Sequence, residues 1–522
     1  HNAVIFRATE QWFIGMDRND LRSRALEAIR GVKWLPAWGE ERISNMVATR
    51  PDWCISRQRV WGVPIIVFYC ESCGEPFTEK RVLEGVVQQF REHNADIWFS
   101  RTAAELMGPD CACSKCGAAS FRKETDILDV WFDSGSSHLA VLTPENQLPW
   151  PADMYLEGGD QYRGWFQSSL LVGVGLKHGS PFRESATSGW TLDADGRAMS
   201  KSLDSIGPEK IVKQFGADIL RLWVASVDFT EDVRMSDIIL KRLSEAYRKL
   251  RNTFKFMLGN LAGFNPALDG VPGDRLAGID AWILVRAEDL VRRCVSWYNE
   301  YAFHKVYRAV YDFATTDLSA IYFDVSKDRL YTAAPSSQFR RSGQTALHRL
   351  NLMLARLLAP ILCFTCEEVW RHTKFGTADS ESVHMGYFPR PEELTEGLRP
   401  EQRKQAADWD QLLPVRDQVL KALDAARGEK VIGSSLEASV FLEAGGDLYA
   451  LLDRYAGELP AWFIVSQVEL DHDPSDALTV RVERARGDKC ERCWKFTTDV
   501  GSNDDFPTVC GACAAVLPEF HA

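Results

Sequence analysis

Met154-Tyr155-Leu156-Glu157-Gly158-Gly159-Asp160-Gln161-Tyr162-Arg163-Gly164-Trp165-Phe166 is the stretch on which the fold turns. Its three apolar residues read as a strand that stops at an acidic, glycine-containing corner. From Trp165 to Leu176 the apolar spacing becomes helical, and Ser185 to Trp190 reads as the next strand. A polar loop follows, then Pro208-Glu209-Lys210-Ile211, with proline at the first helical position and Gly216 just past the end. Strand, helix, strand, loop, helix in this order implies parallel strands joined by crossovers, hence an α/β fold. In such sheets ligands bind beyond the carboxyl ends of the strands. Glu157 to Gln161 and the loop 191–204 fall there.

Outward from that core, residues 1–65 and 125–234 share the alternating pattern, and 66–124 interrupt it as a cysteine-bearing insertion. Residues 235–425 turn helical. Ile283, Ala287, Leu290, Cys294, Trp297 and Tyr301 recur at three- and four-residue steps, as do Leu347, Leu350, Leu354 and Leu357. Thr365 and Glu368 have the spacing of a capping box opening a helix after Pro360. Residues 426–485 return to strand-like alternation as a small α+β region, and 486–522 form a last module. The expected architecture is multidomain, α/β plus all-α.

A chain of 522 residues exceeds one hydrophobic core, so two to four domains are expected. It contains no apolar run of eighteen residues, which points to a soluble, cytoplasmic protein with no membrane partner. Its net charge of −12 excludes a binder that holds nucleic acid by bulk charge. RNA contact would need a local patch such as Lys241 to Arg251, five basic residues against one acidic, for which a solvated helix face is the alternative. His1 opens the sequence with a strand already in progress at Val4-Ile5-Phe6, the reading of a fragment.

Nine of the thirteen cysteines fall into two tight groups, which favours metal over disulfides. Cys490-x2-Cys493 and Cys510-x2-Cys513 can converge on one tetrahedral zinc ion. The earlier group offers five candidates for four places. Cys70, Cys73, Cys113 and Cys116 are preferred as a second zinc set, with Cys111 the alternative. Four thiolates leave no open coordination position, so both sites read as structural. Cys54, Cys294, Cys363 and Cys366 sit in apolar or helical contexts and read as small buried hydrophobes.

Asp193 to Leu203 holds Met199-Ser200-Lys201-Ser202, small hydroxyl residues flanking a lysine that could wrap a polyphosphate. On its own the motif suits an ordinary exposed lysine as well. With its neighbours it means more, because Ala198-Met199-Ser200-Lys201-Ser202 resembles the Lys-Met-Ser-Lys-Ser loop of class I aminoacyl-tRNA synthetases. Arg50 to Pro64, Asp129 to Gly135 and Glu157 to Phe166 resemble segments shared by the isoleucyl, valyl and leucyl branches. The terminal knuckles with Trp494, Glu429 to Glu437 and Gly216 to Ser226 resemble the bacterial-type isoleucyl branch.

This resemblance implies ATP-dependent activation of isoleucine and transfer to tRNA-Ile, with Mg2+ accompanying ATP. It implies the second half of a Rossmann-like catalytic domain, a helical anticodon-binding bundle, and residues 1–65 as the return from an editing insertion. Glu157 matches the residue that holds the adenylate, with Gly158, Asp160 and Gln161 completing the polar edge. Trp131 and Trp165 match aromatic positions near the side-chain pocket, core packing being the alternative for each. Lys201, with Met199, Ser200 and Ser202, matches the ATP-facing loop. Two departures are Ala198 in place of the loop's first lysine, with Arg197 beside it, and Tyr162 where histidine is expected. The family's His-Ile-Gly-His element does not occur in the sequence, so the chain alone is expected to be inactive. The family also implies a monomer.

Overall fold

The computed structural model describes residues 8–197, 199, 207–373, 380–474 and 477–521. They form two compact units, one of 1–191 with 229–233, the other of 192–228 with 234–522. Among the described residues no helix is long and apolar enough to cross a membrane.

The first unit is built on a three-stranded parallel sheet in which Phe182–Ser188 lies between Lys33–Leu35 and Ala152–Gly158. Register sets Ser185 opposite both Trp34 and Tyr155, and Thr187 opposite Glu157. The middle strand begins at Phe182, three residues before the sequence pattern suggests, because burial of Phe182 anchors its start. Helix Trp165–Lys177 returns the chain from one strand to the next, burying Phe166, Leu170, Leu171 and Val174. Helices Leu21–Arg30 and Trp38–Ala48 add Ala25, Ile29, Ile43 and Val47 to the same core. Trp165 stacks on Tyr155 with centroids 4.1 Å apart, and Tyr155 packs on Phe182 at 4.6 Å.

The insertion has its own core around Phe68, Val86, Trp98 and Leu106. A small antiparallel sheet puts Phe68–Cys70 between Pro76–Phe77 and Phe121–Lys123. Glu124 closes its base, accepting from Trp12 Nε1 at 3.0 Å and Tyr69 Oη at 2.7 Å.

The second unit is largely helical. Helix Gly278–Asn299 buries Ile283, Ala287, Leu290 and Cys294, but Trp297 is only half-buried and Tyr301 lies past the helix end at φ 58°. Helix Gln338–Leu358 buries all four of its periodic leucines. A ten-residue π-helix, Phe313–Tyr322, has no signature in the residue pattern. It leads to a buried network in which Asp280 accepts from Tyr322 Oη at 2.6 Å and Arg329 Nη1 at 2.8 Å.

The expected capping box at Thr365 does not form. Helix Cys363–His372 starts two residues earlier, and its leading amides are satisfied by Asp218 instead, while Glu368 pairs with Arg251. Further on, strand Ala438–Ala444 lies between Gln467–His472, parallel, and Thr479–Arg484, antiparallel. A hairpin, Asp488–Lys489 with Phe496–Thr497, and helix Gly511–His521 form the last module.

Candidate functional site: the strand-end cleft and two cysteine clusters

Strand Ala152–Gly158 delivers Glu157 and Gly158 to the carboxyl edge of the sheet, where a 3₁₀ turn, Gly159–Tyr162, takes over. Glu157 and Asp160 are exposed there. Gln161 is committed to local structure, since its Oε1 accepts from the Trp165 amide at 3.0 Å and its Nε2 donates to Asp160 at 3.0 Å. It therefore fixes the start of the helix and the direction of Asp160. Tyr162 is fully buried and bonds Thr187 Oγ1 at 2.8 Å, so this side chain ties the turn to the next strand end.

Beside this corner lies a cleft of about 270 Å³. Trp131, 43% exposed, forms one wall, and Arg50, Trp53, Arg57, Asp129 and Gln167 form much of the rest. Gly164 is required by close approach, because a Cβ there would stand 2.7 Å from the Trp131 ring and 2.8 Å from Gln161 Oε1. Trp165 is half-buried and is not among the residues lining this cleft; its ring stacks on Tyr155 and its Nε1 donates to Ser134 O at 3.0 Å.

Asp129 organises the cleft. It caps helix Val130–Gly135 through the Trp131 amide and accepts from Trp53 Nε1 at 3.2 Å and Arg57 Nη2 at 2.9 Å. Burial, with the Asp129 charge behind it, raises the Asp133 pKa above the usual carboxylate value. Burial lowers that of Arg50, whose Nε has no hydrogen-bond partner while its Nη1 reaches the buried Gln167 amide oxygen. In the sequence Arg50 to Pro64 and Asp129 to Gly135 stand out only as whole segments, with no role for these individual residues. Their available signal was a run of arginine, tryptophan and aspartate too polar for a core strand.

Of the loop residues only Met199 is described, half-buried, and Ser200, Lys201 and Ser202 lie outside the described residues, as does Ala198. The preceding turn is tightly made, with Asp193 Oδ1 accepting from the amides of Asp195 at 2.9 Å and Arg197 at 2.8 Å.

The cysteines gather into two sets, Cys70, Cys73, Cys113, Cys116 and Cys490, Cys493, Cys510, Cys513, each with its sulfurs within 4.8 Å of one another. A tetrahedron of thiolates at a metal distance of about 2.3 Å has edges of roughly 3.8 Å. Cys70 and Cys116 are 3.5 Å apart, Cys73 and Cys113 3.6 Å, Cys493 and Cys510 3.9 Å, and none is joined in a disulfide. These donor sets fit a tetrahedral ion. Cys111 stays outside, its thiol directed to Met107 O at 3.5 Å. Burial opposes the Cys70 thiolate, but the amides of Cys73 and Ser72 outweigh it and bring its pKa to about 7. At Cys490 burial is likewise outweighed, by the amides of Cys493, Cys510 and Arg492, and the thiol falls to about 6. Gly74 and Gly117 turn their knuckles at φ 72° and 74°. Trp494 takes the corresponding place in the other cluster at φ 66°, a strained position for an aromatic residue.

Three family models match the chain: tRNA synthetases class I (I, L, M and V) over residues 1–236, the anticodon-binding domain of tRNA ligase over 280–442, and the zinc finger found in FPG and IleRS over 487–516. Along its length the chain is 49% identical to the isoleucine--tRNA ligase of Syntrophotalea carbinolica, over 99% of this chain and 56% of that protein. The chain belongs to the class I tRNA synthetases. It is also 47% identical to the isoleucine--tRNA ligase of Moorella thermoacetica, again over 99% of the chain and 56% of the relative. It thus spans about half the length of the curated relatives it matches. Among solved structures, the LeuRS of Agrobacterium radiobacter K84 in complex with tRNA and LeuAMS aligns with TM-score 0.50 at 18% identity, over 79% of this chain and 48% of that one, a likeness of fold. For a class I synthetase the sheet edge at Glu157 is where the parallel-sheet rule places ligands.

Proposed function

We propose that this chain carries the later part of an isoleucine-tRNA ligase, which activates isoleucine with ATP and Mg2+ and transfers it to tRNA-Ile. The observation that carries the reading is near-continuous identity of 49% to an isoleucine--tRNA ligase across a chain that exposes Glu157 at the carboxyl end of a parallel strand. Glu157 offers a carboxylate to the amino group or ribose hydroxyls of the adenylate. Gly158 and Gly159 let the backbone lie against it, and Asp160, oriented by Gln161, completes the edge. Trp131 walls the isoleucine side chain, held by Asp129 beneath its helix. Trp165, half-buried and stacked on Tyr155, is the second aromatic residue near that side chain. Lys201, with Met199, Ser200 and Ser202, neutralises charge building on pyrophosphate, an arrangement that needs positioning more than bond-making side chains.

Each four-cysteine cluster holds a structural zinc ion, and the helical bundle with the terminal module receives the anticodon arm. The protein works as a cytoplasmic monomer. Aminoacylation by the protein with isoleucine against valine tests the assignment, and a preference for valine overturns it. The 522 residues alone, which contain no His-Ile-Gly-His element, bind tRNA-Ile but do not form the adenylate. Isoleucine-dependent pyrophosphate release by them would refute that part.

A further inference from the structure

The terminal module meets the helical bundle along helix Phe323–Thr332, and the seam between them is loosely filled. A cavity of about 480 Å³ lies between Val325, Asp328 and Tyr331 of the helix and Cys493, Trp494 and Lys495 of the module. On the module side the chain from 490 to 495 is a knuckle, closed by the Cys490 amide donating to Lys495 O at 2.9 Å and the Trp494 amide donating to Cys490 O at 2.9 Å. Among the described residues, two of its side chains bond to the helix: Lys495 Nζ pairs with Asp328 Oδ2 at 2.6 Å, and Arg492 Nη1 donates to Thr332 O at 2.7 Å. Further ties run from outside the knuckle, with the Phe496 amide donating to Ser466 Oγ at 2.8 Å and Glu519 accepting from Ser336 at 2.6 Å.

Arg492 differs from Lys495 in what stands behind it. The same Nη1 lies 3.5 Å from Cys513 Sγ, in the second knuckle of the cluster, and the guanidinium sits 4.9 Å over the ring of Phe520. Thr332 is the last residue of its helix, so its carbonyl has no partner within the helix and stands where the peptide dipoles favour a cation. One nitrogen therefore joins a candidate metal ligand to a helix end of the bundle. That helix is anchored in the core in turn, because Arg329 on it donates to the buried Asp280 at 2.8 Å. Groups that donate to the ligands of a metal orient them and set how tightly the metal is held. Sulfurs gathered on one ion keep Cys513 beside Arg492 and fix the knuckle that carries Arg492.

We infer that Arg492 is a positioning residue that couples the metal state of the Cys490 cluster to the seat of the terminal module on helix Phe323–Thr332. With the ion bound it bridges Cys513 Sγ and Thr332 O; with the ion gone the bridge opens and the module leaves the helix. The inference rests on the proposed reading of this cluster as a zinc site and adds a mechanical consequence to it. Lys495 is an ordinary contact across the same seam.

The test uses the whole chain, zinc-loaded and after removal of zinc by a chelator. Zinc content is read by mass spectrometry under native conditions, and the seat by amide exchange over 323–332 and 488–514. In the parent, removal should raise exchange in both segments. Zinc-loaded Arg492→Ala should already show the raised exchange at 323–332, with little further rise on removal, and should hold the terminal zinc about tenfold less tightly. Arg492→Lys, which restores a cation, should lie between the two and separates loss of the bridge from loss of folding. Lys495→Met should loosen the seat of the loaded chain while zinc affinity stays at the parental value and removal still raises exchange. Parental exchange at 323–332 in zinc-loaded Arg492→Ala overturns the inference. So does a parent in which removal opens 488–514 and leaves 323–332 as it was. A parent whose zinc content equals that of Cys490→Ser removes the zinc reading and this inference with it, an outcome distinct from the other two.

Discussion

Arg57 Nη2 donates to Asp129 Oδ2 across 2.9 Å, and the carboxylate that accepts is 7% exposed while the guanidinium is 40% exposed. The same oxygen takes the Trp53 indole, and Oδ1 caps the helix that carries Trp131. Asp129→Ala would strip three donors of their partner in one step and should cost about 3 kcal/mol. Asp129→Asn, which keeps the shape, should cost less. A urea titration followed by tryptophan emission measures both, and equal stability of the alanine variant would refute the role.

Gly164 stands where any side chain meets Trp131. Gly164→Ala places a carbon 2.7 Å from the indole edge, and since Trp131 is partly exposed the ring can swing outward rather than unfold the unit. The expected result is a red-shifted tryptophan spectrum, a melting temperature lowered by only a few degrees, and adenylate-analogue binding weakened by about tenfold or more. An unchanged spectrum and unchanged binding would show that Trp131 does not form the wall.

His138 takes up its proton at a lower pH than a surface histidine does. It is 2% exposed, its Nδ1 accepts from Trp150 Nε1 at 3.0 Å, and burial, aided by the Lys177 charge, depresses its pKa to about 4. The unfolded chain, with an ordinary value near 6.5, takes up the proton first as pH falls. Stability is therefore unaffected above that value and is lost progressively between about pH 6.5 and 4, by about 3 kcal/mol in all. Unfolding free energy measured across this window should lose much of its slope in His138→Gln. A slope equal to that of the parent would show that other groups carry it.

Chelation should act first on the terminal module. Its core is little more than Cys490, Val509, Cys510, Cys513 and Ala514, too small to hold without an ion. The first cluster is backed by the aromatic core of the insertion around Phe68 and Trp98. Zinc released to a chelator should leave in two stages, with amide exchange rising over 488–514 in the faster one. Simultaneous release, or no change in exchange, would contradict this order.

What the sequence made legible follows from the range of the forces involved. Apolar period and the strand-helix-strand order are local, so the parallel sheet and the stripes of Gly278–Asn299 and Gln338–Leu358 were readable. Cysteine spacing is local within each knuckle, and the exclusion of Cys111 needed only coordinates. What depends on partners far apart in the chain was not readable. Asp129 and Arg57 meet over 72 residues, Arg329 and Asp280 over 49, and the π-helix between bundle helices leaves no trace in residue type. The stacking of Trp165 on Tyr155 joins residues ten apart on different elements, which residue type does not reveal.

The missing capping box at Thr365 leads to the last prediction. Helix Cys363–His372 has no side-chain cap of its own at Leu362. Asp218, 7% exposed in the first turn of helix Ala217–Ser226, accepts from the amides of Phe364 at 3.3 Å and Thr365 at 2.8 Å and from Thr365 Oγ1 at 2.6 Å. One carboxylate thus serves the amino ends of two helices, where the peptide dipoles favour a negative charge. Asp218→Asn preserves the shape but removes the charge and should cost about 1 kcal/mol. Asp218→Ala leaves buried amides and a hydroxyl unpaired and should cost about 3 kcal/mol. Amide exchange at residues 364–366 should accelerate in the alanine variant ahead of the rest of the bundle. If exchange there stays at the parental rate, the helix start is held by packing of Cys366 and Val369 rather than by Asp218.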